Sequence, residues 1–228
     1  MDRYKKAVTF SFDDGVESDK KLIELFNQYR LKCSFNINSG KIESSDTWDY
    51  NGFFVRRPTP FDKQIYQGHE ICAHGKLHLR PDELSGSELR DEFDEDIKNL
   101  EQLFDTKITG AAYAFGAYSD PVVEHLQSIG IGFARTVKST YSFDVQEDLL
   151  RFNPTCSFSD DESFHLAEQF LRLDTDTPQI FYIWGHSYEL DGNDLWGHME
   201  KLCGMLANKD DVLYAANSDV FRYFNLME

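Results

Sequence analysis

Strand-like and helix-like segments alternate along the whole chain. Apolar residues at every second position, or in a short run, indicate a strand, whereas apolar residues three and four positions apart indicate a helix. The strand-like segments are 7–12, 32–38, 69–73, 110–115, 131–137, 150–158, 179–184 and 212–215. The helix-like segments are 20–30, 87–104, 121–129, 162–173, 195–207 and 218–224. About seven alternations of this kind predict an α/β fold with a parallel sheet, either a barrel or a doubly wound sheet.

One segment, 41–65, interrupts this alternation. It contains several prolines and aromatic residues without a clear period, and it is long for a connection. We interpret it as an irregular loop insertion, either a functional loop or a small inserted element. No repeat, low-complexity tract or linker divides the sequence elsewhere, so we expect a single domain over residues 1–228, a usual length for an α/β barrel.

Charge and composition exclude several classes of partner. The formal net charge is −17 at pH 7, whereas nucleic acids and anionic membranes attract surfaces rich in lysine and arginine. The acidic run 91–96 is interpreted as the solvated face of a helix. No apolar run reaches the length of a membrane span, and none precedes the first strand-like segment as a secretion signal would. We therefore expect a cytoplasmic protein with reduced, buried cysteines and neither a nucleic acid nor a membrane as partner.

Unusual polar residues follow four of the strand-like segments. Asp13 and Asp14 follow the first segment, and His74 and His78 follow the third. The fourth leads into the aromatic sequence YAFGAY, and His186 follows the apolar sequence IFYIWG. Because the carboxyl ends of parallel strands meet at one edge of a barrel, we expect these residues to lie together at a functional rim.

Two histidines four positions apart, His74 and His78, can share one face of a helical turn and bind one metal ion. Alone, such a pair is more often two ordinary loop residues. A carboxylate of Asp13 or Asp14 would complete a set of two imidazoles and one acid that leaves positions open for water and substrate. Adjacent side chains of an extended chain point in opposite directions, so one aspartate can face the metal ion and the other the substrate. A turn with a helix N-cap is the alternative for these aspartates, and the histidines make it the weaker one.

His186 is the candidate for an acid–base residue. Its neighbours Ser187 and Glu189 could orient the imidazole ring, and the alternative is a hydrogen-bonded histidine in the core. A metal-activated water, a carboxylate base and a histidine acid together can cleave an acyl bond. The constellation therefore predicts a hydrolase.

Three of these segments resemble the motifs of the polysaccharide deacetylase family, carbohydrate esterase family four. SFDDG at 11–15 is similar to the first motif, HGKLH at 74–78 to the second and WGH at 184–186 to the last. The resemblance implies a distorted (β/α) barrel of about seven strands with an open groove. It also implies an enzyme that removes acetyl groups from an N- or O-acetylated sugar or oligosaccharide and binds a divalent metal ion, usually zinc, cobalt or nickel.

The resemblance further implies a role for each matching residue. The implied metal ligands are Asp14, His74 and His78. Asp13 would be the base that activates water, and His186 would be the acid that protonates the departing amine. A backbone N–H near Phe115, in the third motif, would stabilise the oxyanion together with the metal ion. The partner of such a protein would be its acetylated saccharide substrate.

The sequence departs from the family pattern at three places. Gly75 stands where the family prefers Ser or Thr, and the fourth motif, an Asp–Trp pair, is not recognisable. The third motif, AYAFG at 112–116, lacks the arginine that pairs with the base. We predict that Arg135, in the sequence FARTV, supplies this charge, and the alternative is a structural arginine.

These departures keep two other functions open. The altered third motif permits hydrolysis of a non-sugar amide on the same fold, and the missing arginine is compatible with a non-catalytic carbohydrate-binding relic.

Four aromatic residues could line a sugar site, although residues of this kind are more often packing residues. They are Trp48, Phe53, Tyr118 and Tyr188.

Overall fold

The fold of residues 3–227, described by a computed structural model, alternates strands with helices as predicted. The strands are β1 (Lys6–Asp14), β2 (Cys33–Ile37), β3 (Thr47–Tyr50), β4 (Phe53–Arg56), β5 (Glu70–Ala73), β6 (Gly110–Ala112), β7 (Phe133–Arg135), β8 (Cys156–Ser157), β9 (Gln179–His186) and β10 (Val212–Tyr214). The α-helices are α1 (Asp19–Tyr29), α2 (Gly86–Phe104), α3 (Asp120–Ser128), α4 (Ser163–Arg172), α5 (Ser187–Gly192), α6 (Trp196–Leu206) and α7 (Asn217–Tyr223). Short 3-10 helices span Ser39–Lys41, Lys63–Tyr66, Pro81–Glu83, Ala114–Gly116 and Leu149–Arg151.

A parallel sheet forms the centre of the fold. Among residues 3–227, its strands pair in the order β7-β6-β5-β2-β1-β9-β8, and β10 pairs with the beginning of β1. Phe152 pairs with Arg135 of β7, and the chain continues from there to β8, which pairs with β9. This segment connects the two edges of the sheet, and the fold is therefore the predicted distorted (β/α) barrel.

Strand β1 lies inside the sheet, and all nine of its residues are buried. Strands of a parallel sheet are covered on both faces, so the small polar residues Thr9 and Ser11, which alternate with apolar residues in β1, are buried as well. Phe10 and Phe12 pack against Phe26 of α1, with ring centroids 4.7 and 5.9 Å apart. Because β1 ends at Asp14, this packing determines where its two terminal carboxylates lie.

The insertion at 41–65 is more regular than predicted. Strands β3 and β4 form an antiparallel hairpin within it, and Tyr50 pairs with Phe53 next to the turn. The turn residues Asn51 and Gly52 have positive φ values of 52° and 85°. An Asn-Gly pair favours such a two-residue turn, so the sequence did contain a signal for this hairpin.

The strand predicted at 150–158 is present only in short pieces, at Cys156–Ser157 and as a single bridge at Phe152. The segment instead contains the end of a 3-10 helix and the two-residue strand β8. Pro154 lies between them and has no backbone N–H to donate to a sheet. Helix α5, directly after His186, has no counterpart in the prediction.

The acidic run of α2 is a solvated face only in part, because Asp91, Asp94 and Glu95 reach solvent and the other two acids do not. Glu92 and Asp96 are only 2% and 0% exposed. They share a helical face with Leu89, Phe93 and Leu100, which are also buried. A buried carboxylate is costly unless hydrogen-bond donors surround it, so these two acids need partners from another element.

The prediction that the cysteines are reduced and buried is confirmed. The four free thiols are those of Cys33, Cys72, Cys156 and Cys203. Burial raises the pKa of each of these thiols, which keeps them protonated at neutral pH. Within residues 3–227, no helix combines the length and the apolar character needed to cross a membrane.

Asp19 is a buried acid that joins three elements at the start of α1. Its two carboxylate oxygens accept hydrogen bonds from the Ser187 hydroxyl at 2.6 Å and from the Tyr66 hydroxyl at 2.9 Å. Burial raises the pKa of Asp19 to about 7, although these two hydrogen bonds oppose the rise. The folded state therefore holds a proton on Asp19 that the unfolded chain loses near the ordinary value of 3.8.

We expect this proton to make stability depend on pH. A raised pKa in the folded state stabilises the fold at low pH, and this contribution is lost as the pH rises from about 4 through about 7. Asp19→Asn should reduce that loss, as measured by urea unfolding at a series of pH values across this range. Asp176→Asn, at an exposed position, is the matched control and should retain the wild-type dependence. An unchanged dependence in Asp19→Asn would contradict the assignment.

Candidate metal centre and active site

The register of the sheet brings the polar strand ends together. Asp13 of β1 is paired with Asn36 of β2 on one side and with His186 of β9 on the other. His74 directly follows β5, and Arg135 is the last residue of β7. Because all of these strands run parallel, the side chains gather at the carboxyl end of the barrel, where the sequence predicts the functional rim.

Asp14, His74 and His78 form a group that can hold a metal ion. Their nearest ligand atoms all lie within 4.8 Å of one another. Asp14 Oδ1 lies 3.8 Å from His74 Nε2 and 3.5 Å from His78 Nε2. These distances are too long for direct hydrogen bonds and leave space between the three ligand atoms.

The hydrogen bonds of His74 support a metal ion at this position. Its Nδ1 donates to the carbonyl oxygen of Ala112 at 2.9 Å, which leaves the lone pair on Nε2. His74 Nε2 is buried and has no hydrogen-bond partner among residues 3–227. A buried nitrogen without a partner is costly, and a histidine ligand usually donates its other N–H in this way. The three residues therefore fit a divalent cation.

Backbone conformation separates the roles of the two adjacent aspartates. Asp14 has a φ of 85° and is followed by Gly15 with a φ of 66°, and His78 has a φ of 59°. Positive φ values are rare for residues with a side chain, and they cluster at functional sites. The turn at Asp14 ends the strand, so Asp14 approaches both histidines while Asp13 keeps its partners inside the barrel.

Asp13 is held by two buried side chains. The Arg135 guanidinium donates through Nη2 to both carboxylate oxygens, at 2.6 Å to Oδ1 and in close contact with Oδ2. Asn36 donates to Oδ1 at 2.7 Å. Burial alone would raise the pKa of Asp13, but the charge and hydrogen bonds of Arg135, together with the positive charge of His186, lower it to about 2. Asp13 is therefore an ionised acceptor at neutral pH.

Arg135 is itself fixed by several contacts. It donates to the hydroxyl of Ser11 at 3.1 Å and to the carbonyl oxygen of Thr136 at 3.0 Å. The guanidinium also lies 4.5 Å from the ring centroid of Trp184, a distance at which a cation and an aromatic ring attract each other. Arg135 thus lies beside Asp13, the position for which the sequence predicts it.

His186 lies beside both aspartates, with its Nε2 4.0 Å from Asp14 Oδ2. Its Nδ1 is 3.1 Å from Glu189 Oε1, and its Nε2 is 3.9 Å from Asp13 Oδ2. Burial lowers the pKa of His186, but the hydrogen bond to Glu189 and the charges of Asp14 and Asp13 outweigh burial and raise it to about 9. His186 is therefore protonated at neutral pH. Helix α5 begins directly after His186 and positions Glu189 one turn later, where it makes the expected contact with the ring. The hydroxyl of Ser187, the other residue expected to orient the ring, donates to Asp19 instead.

Phe115 borders the histidine pair. It lies in the 3-10 helix Ala114–Gly116 with a φ of 58°, and its side chain is 58% exposed. Its ring centroid is 4.6 Å from that of His78. The third motif therefore lies next to the candidate metal ligands, and an exposed aromatic face is presented at the mouth of the site.

Helix α2 supports the loop that carries both histidines, a contact that sequence reasoning missed. Glu92 accepts hydrogen bonds from the backbone N–H groups of Leu77 and Leu79, at 2.9 to 3.2 Å. Asp96 accepts from the backbone N–H of His74 at 3.1 Å. The sequence does contain one indication that Asp96 is buried, because position 96 falls on the apolar face of the helix between Phe93 and Leu100.

Glu92 also explains the glycine at position 75. A Cβ atom on Gly75 would lie only 2.5 Å from Glu92 Oε1, and the φ of Gly75 is 78°. Ser or Thr, which the family prefers there, would collide with the carboxylate. In this chain the carboxylate of Glu92 therefore braces the histidine loop in place of a side chain at position 75.

Of the four aromatic candidates for a sugar site, Tyr188, Trp48 and Phe53 pack together, whereas Tyr118 packs on Tyr113. Tyr188 borders the site, because its ring centroid lies 5.0 Å from that of His186, and Trp48 packs on Tyr188 at 5.5 Å. Phe53 packs near Tyr188 in a small hydrophobic cluster. Tyr118 stacks on Tyr113 at 5.1 Å and is about one third exposed.

Comparison with solved structures shows the fold. A protein of Mycobacterium smegmatis assigned as a polysaccharide deacetylase superimposes with a TM-score of 0.71 at 16% identity, over 98% of this chain and 91% of that chain. A mutant of the peptidoglycan deacetylase PdaC from Bacillus subtilis gives 0.58 at 12% identity, over 99% and 94%. A CE4 family pseudoenzyme from Bacillus anthracis, in a mutant form with restored enzymatic activity, gives 0.59 at 15% identity, over 96% and 68%. No curated protein matches the chain.

Comparison with protein families identifies the chain more directly. The family described as polysaccharide deacetylase matches residues 1–134, which is more than half of the 228 residues. The matched region contains Asp13, Asp14, both histidines of the HGKLH segment and Phe115, and it ends one residue before Arg135. With the barrel fold and the strand-end residues in the expected order, the chain belongs to the polysaccharide deacetylase family.

Proposed function

We propose that the protein is a metal-dependent hydrolase that removes acetyl groups from an N- or O-acetylated sugar or oligosaccharide. The observation that carries this proposal is the meeting of a candidate metal set with an oppositely charged acid–base pair. Asp13 Oδ2 lies 3.9 Å from both His74 Nε2 and His186 Nε2. A substrate acyl group bound above this edge would have a base on one side and an acid on the other.

The proposed metal ligands are Asp14, His74 and His78. Two imidazoles and a carboxylate suit zinc, and also cobalt or nickel, while leaving coordination positions open. When bound there, such an ion supplies a Lewis acid that polarises an acyl carbonyl and lowers the pKa of a water molecule. The N–H of His74 that points to Ala112 keeps the other ring nitrogen free to act as a ligand.

The remaining residues handle protons and charge. Asp13 accepts the proton of the attacking water, and Arg135 with Asn36 holds its two oxygens in place. His186 donates its proton to the departing nitrogen or oxygen, and Glu189 holds the ring in the required orientation. A backbone N–H near Phe115 stabilises the negative charge that develops on the acyl oxygen.

Two alternatives are distinguished from this proposal by substrate and turnover. Hydrolysis of a non-sugar amide would use the same residues with a different acyl compound. A non-catalytic relic was suggested by the arginine missing from the third motif, but Arg135 contacts Asp13 directly and so supplies that charge. The complete set of ligands, base and acid favours an enzyme.

We expect the purified protein to bind a divalent metal ion and to release acetate from acetylated chitooligosaccharides. Asp14→Asn should lose the metal ion. Asp13→Asn should retain the metal ion but release acetate at least about 100-fold more slowly than the wild type. Metal analysis and an enzymatic acetate assay measure these outcomes. Turnover of simple acetamides but not of sugars would favour the amide alternative. Metal binding without any turnover would favour the relic.

Arg135→Gln should lower kcat about 100-fold without changing metal content, because Asp13 loses the guanidinium that holds both of its oxygens. Arg135→Lys retains the charge but not the forked geometry and should give an intermediate rate. Arg172→Gln, at an exposed position, is the control. An unchanged kcat in correctly folded Arg135→Gln would show that Arg135 is structural only.

Glu92→Gln should weaken zinc affinity about tenfold, because the amide has no negative charge and keeps only one of the two oxygens that accept the backbone hydrogen bonds of Leu77 and Leu79. Competition with a chromophoric chelator measures the affinity directly, without turnover. Glu88→Gln, at an exposed position of the same helix, should leave it unchanged. Equal zinc affinity of Glu92→Gln and the wild type would contradict a bracing role.

A further inference from the structure

Arg57 is a buried cation without an acidic partner among residues 3–227. It is 7% exposed, and the other two buried cations of this region are Lys6 and Arg135. Lys6 pairs with Asp211 at 2.7 Å, and Arg135 pairs with Asp13. A buried guanidinium is costly unless it is paired, so an unpaired one requires a physical explanation.

The contacts that Arg57 does make leave part of its hydrogen-bonding capacity unused. Its Nη2 donates to Asn38 Oδ1 over a long distance of 3.4 Å. Its Nε is buried and has no partner in the part of the chain that the structure describes. The guanidinium lies 5.3 Å from the ring centroid of Trp48, which attracts the charge but cannot take the N–H hydrogen bonds in the ring plane.

One side of Arg57 adjoins the candidate metal ligands. The preceding residue, Arg56, accepts a backbone hydrogen bond from Glu17 at 3.0 Å, in the loop that begins at Asp14. Asn38, which contacts Arg57, also donates to the carbonyl oxygen of His74 at 2.8 Å. The side chain of Asn38 therefore connects Arg57 to the loop that carries His74 and His78.

On its other side, Arg57 is connected to the proposed acid through two aromatic residues. Trp48, over which the guanidinium lies, contacts Tyr188 at 5.5 Å between ring centroids, and Tyr188 contacts His186 at 5.0 Å. The hairpin that carries Trp48 packs through Val55 on Val16 and Tyr188. The insertion therefore holds Arg57 at the active-site edge of the barrel, between the two halves of the proposed catalytic machinery.

We propose that Arg57 binds an oxyanion of the substrate, so that the preferred acylated substrate also carries a carboxylate or a phosphate. Three buried carboxylates, those of Asp13, Asp14 and Asp19, lie at this edge, and the protein has a net charge of −17. An anionic substrate would be repelled there unless a cation receives it. The forked donors of arginine match a carboxylate or phosphate geometrically. This inference depends on the function proposed above, because it assigns a substrate class to the same site.

Three related sugars test the proposal: neutral N-acetylglucosamine, its 6-phosphate, and the carboxylate-bearing N-acetylmuramic acid. Isothermal titration calorimetry with the metal-loaded protein should show that an anionic sugar binds roughly ten- to a hundredfold more tightly than the neutral one. Comparing the phosphate with the carboxylate shows which oxyanion the site prefers. Arg57→Gln should abolish the preference and leave the affinity for N-acetylglucosamine unchanged. Arg56→Gln, its exposed neighbour, should retain the preference.

Several outcomes would overturn the proposal. Equal affinity of the wild type for all three sugars, or no binding of either anionic sugar, would show that Arg57 receives no substrate charge. If Arg57→Gln lowers the affinity for all three sugars equally, the role of Arg57 is to balance the charge of the buried acids instead. Arg57→Lys, which keeps the charge and protects against a folding defect, should retain part of the preference.

Binding and turnover also separate this proposal from the proposed function. A preference for anionic sugars without acetate release would refute the hydrolase and leave the oxyanion site intact. Acetate release at equal kcat/KM from neutral and anionic sugars would support the hydrolase and refute the role of Arg57.

Discussion

The buried pair of Asp13 and Arg135 is the interaction on which the site depends. Asp13 lies on a central strand of the barrel, where an isolated carboxylate would be strongly destabilising. Arg135 comes from β7, which is separated from β1 by the three strands β2, β5 and β6, and its side chain contacts Asp13 across the interior. The pair therefore joins distant parts of the sheet and places a permanent negative charge beside the candidate metal ligands. Loss of either partner would leave the other charge buried and unpaired.

A second constraint lies outside the sheet, in helix α2. Two buried acids, Glu92 and Asp96, accept hydrogen bonds from backbone N–H groups of the loop that carries His74 and His78. This loop contains residues with positive φ values and lacks a regular ladder of hydrogen bonds of its own. The carboxylates supply those missing acceptors, which lets two histidines four positions apart converge on Asp14 without lying in a helix. Gly75 follows from the same arrangement, because any side chain there would displace Glu92.

The sequence predicts those parts of the site that depend on local chain direction. Asp13, Asp14 and His186 each terminate or follow a buried strand, and parallel strands bring such residues to one edge whatever the details of packing. The partners of Glu92 could not be predicted in this way, because they are backbone groups of a loop with no periodic signal. The strand expected at 150–158 is present only in short pieces for a related reason: apolar residues on both sides of Pro154 suit a strand, but the segment connects two sheet edges instead.

The opposite pKa shifts of Asp13 and His186 arise mainly from separate partners. Burial is the largest influence on the pKa of each group and opposes its shift. Among the opposing influences, the charge of Arg135 contributes most to lowering the pKa of Asp13 to about 2, and the hydrogen bond to Glu189 contributes most to raising the pKa of His186 to about 9. The charges of Asp13 and His186 strengthen each other's shift to a smaller extent. Neighbouring groups whose pKa values are separated in this way are suited to act as base and acid at the same pH. The division of labour between the two residues thus follows chiefly from Arg135 and Glu189, before any substrate is present.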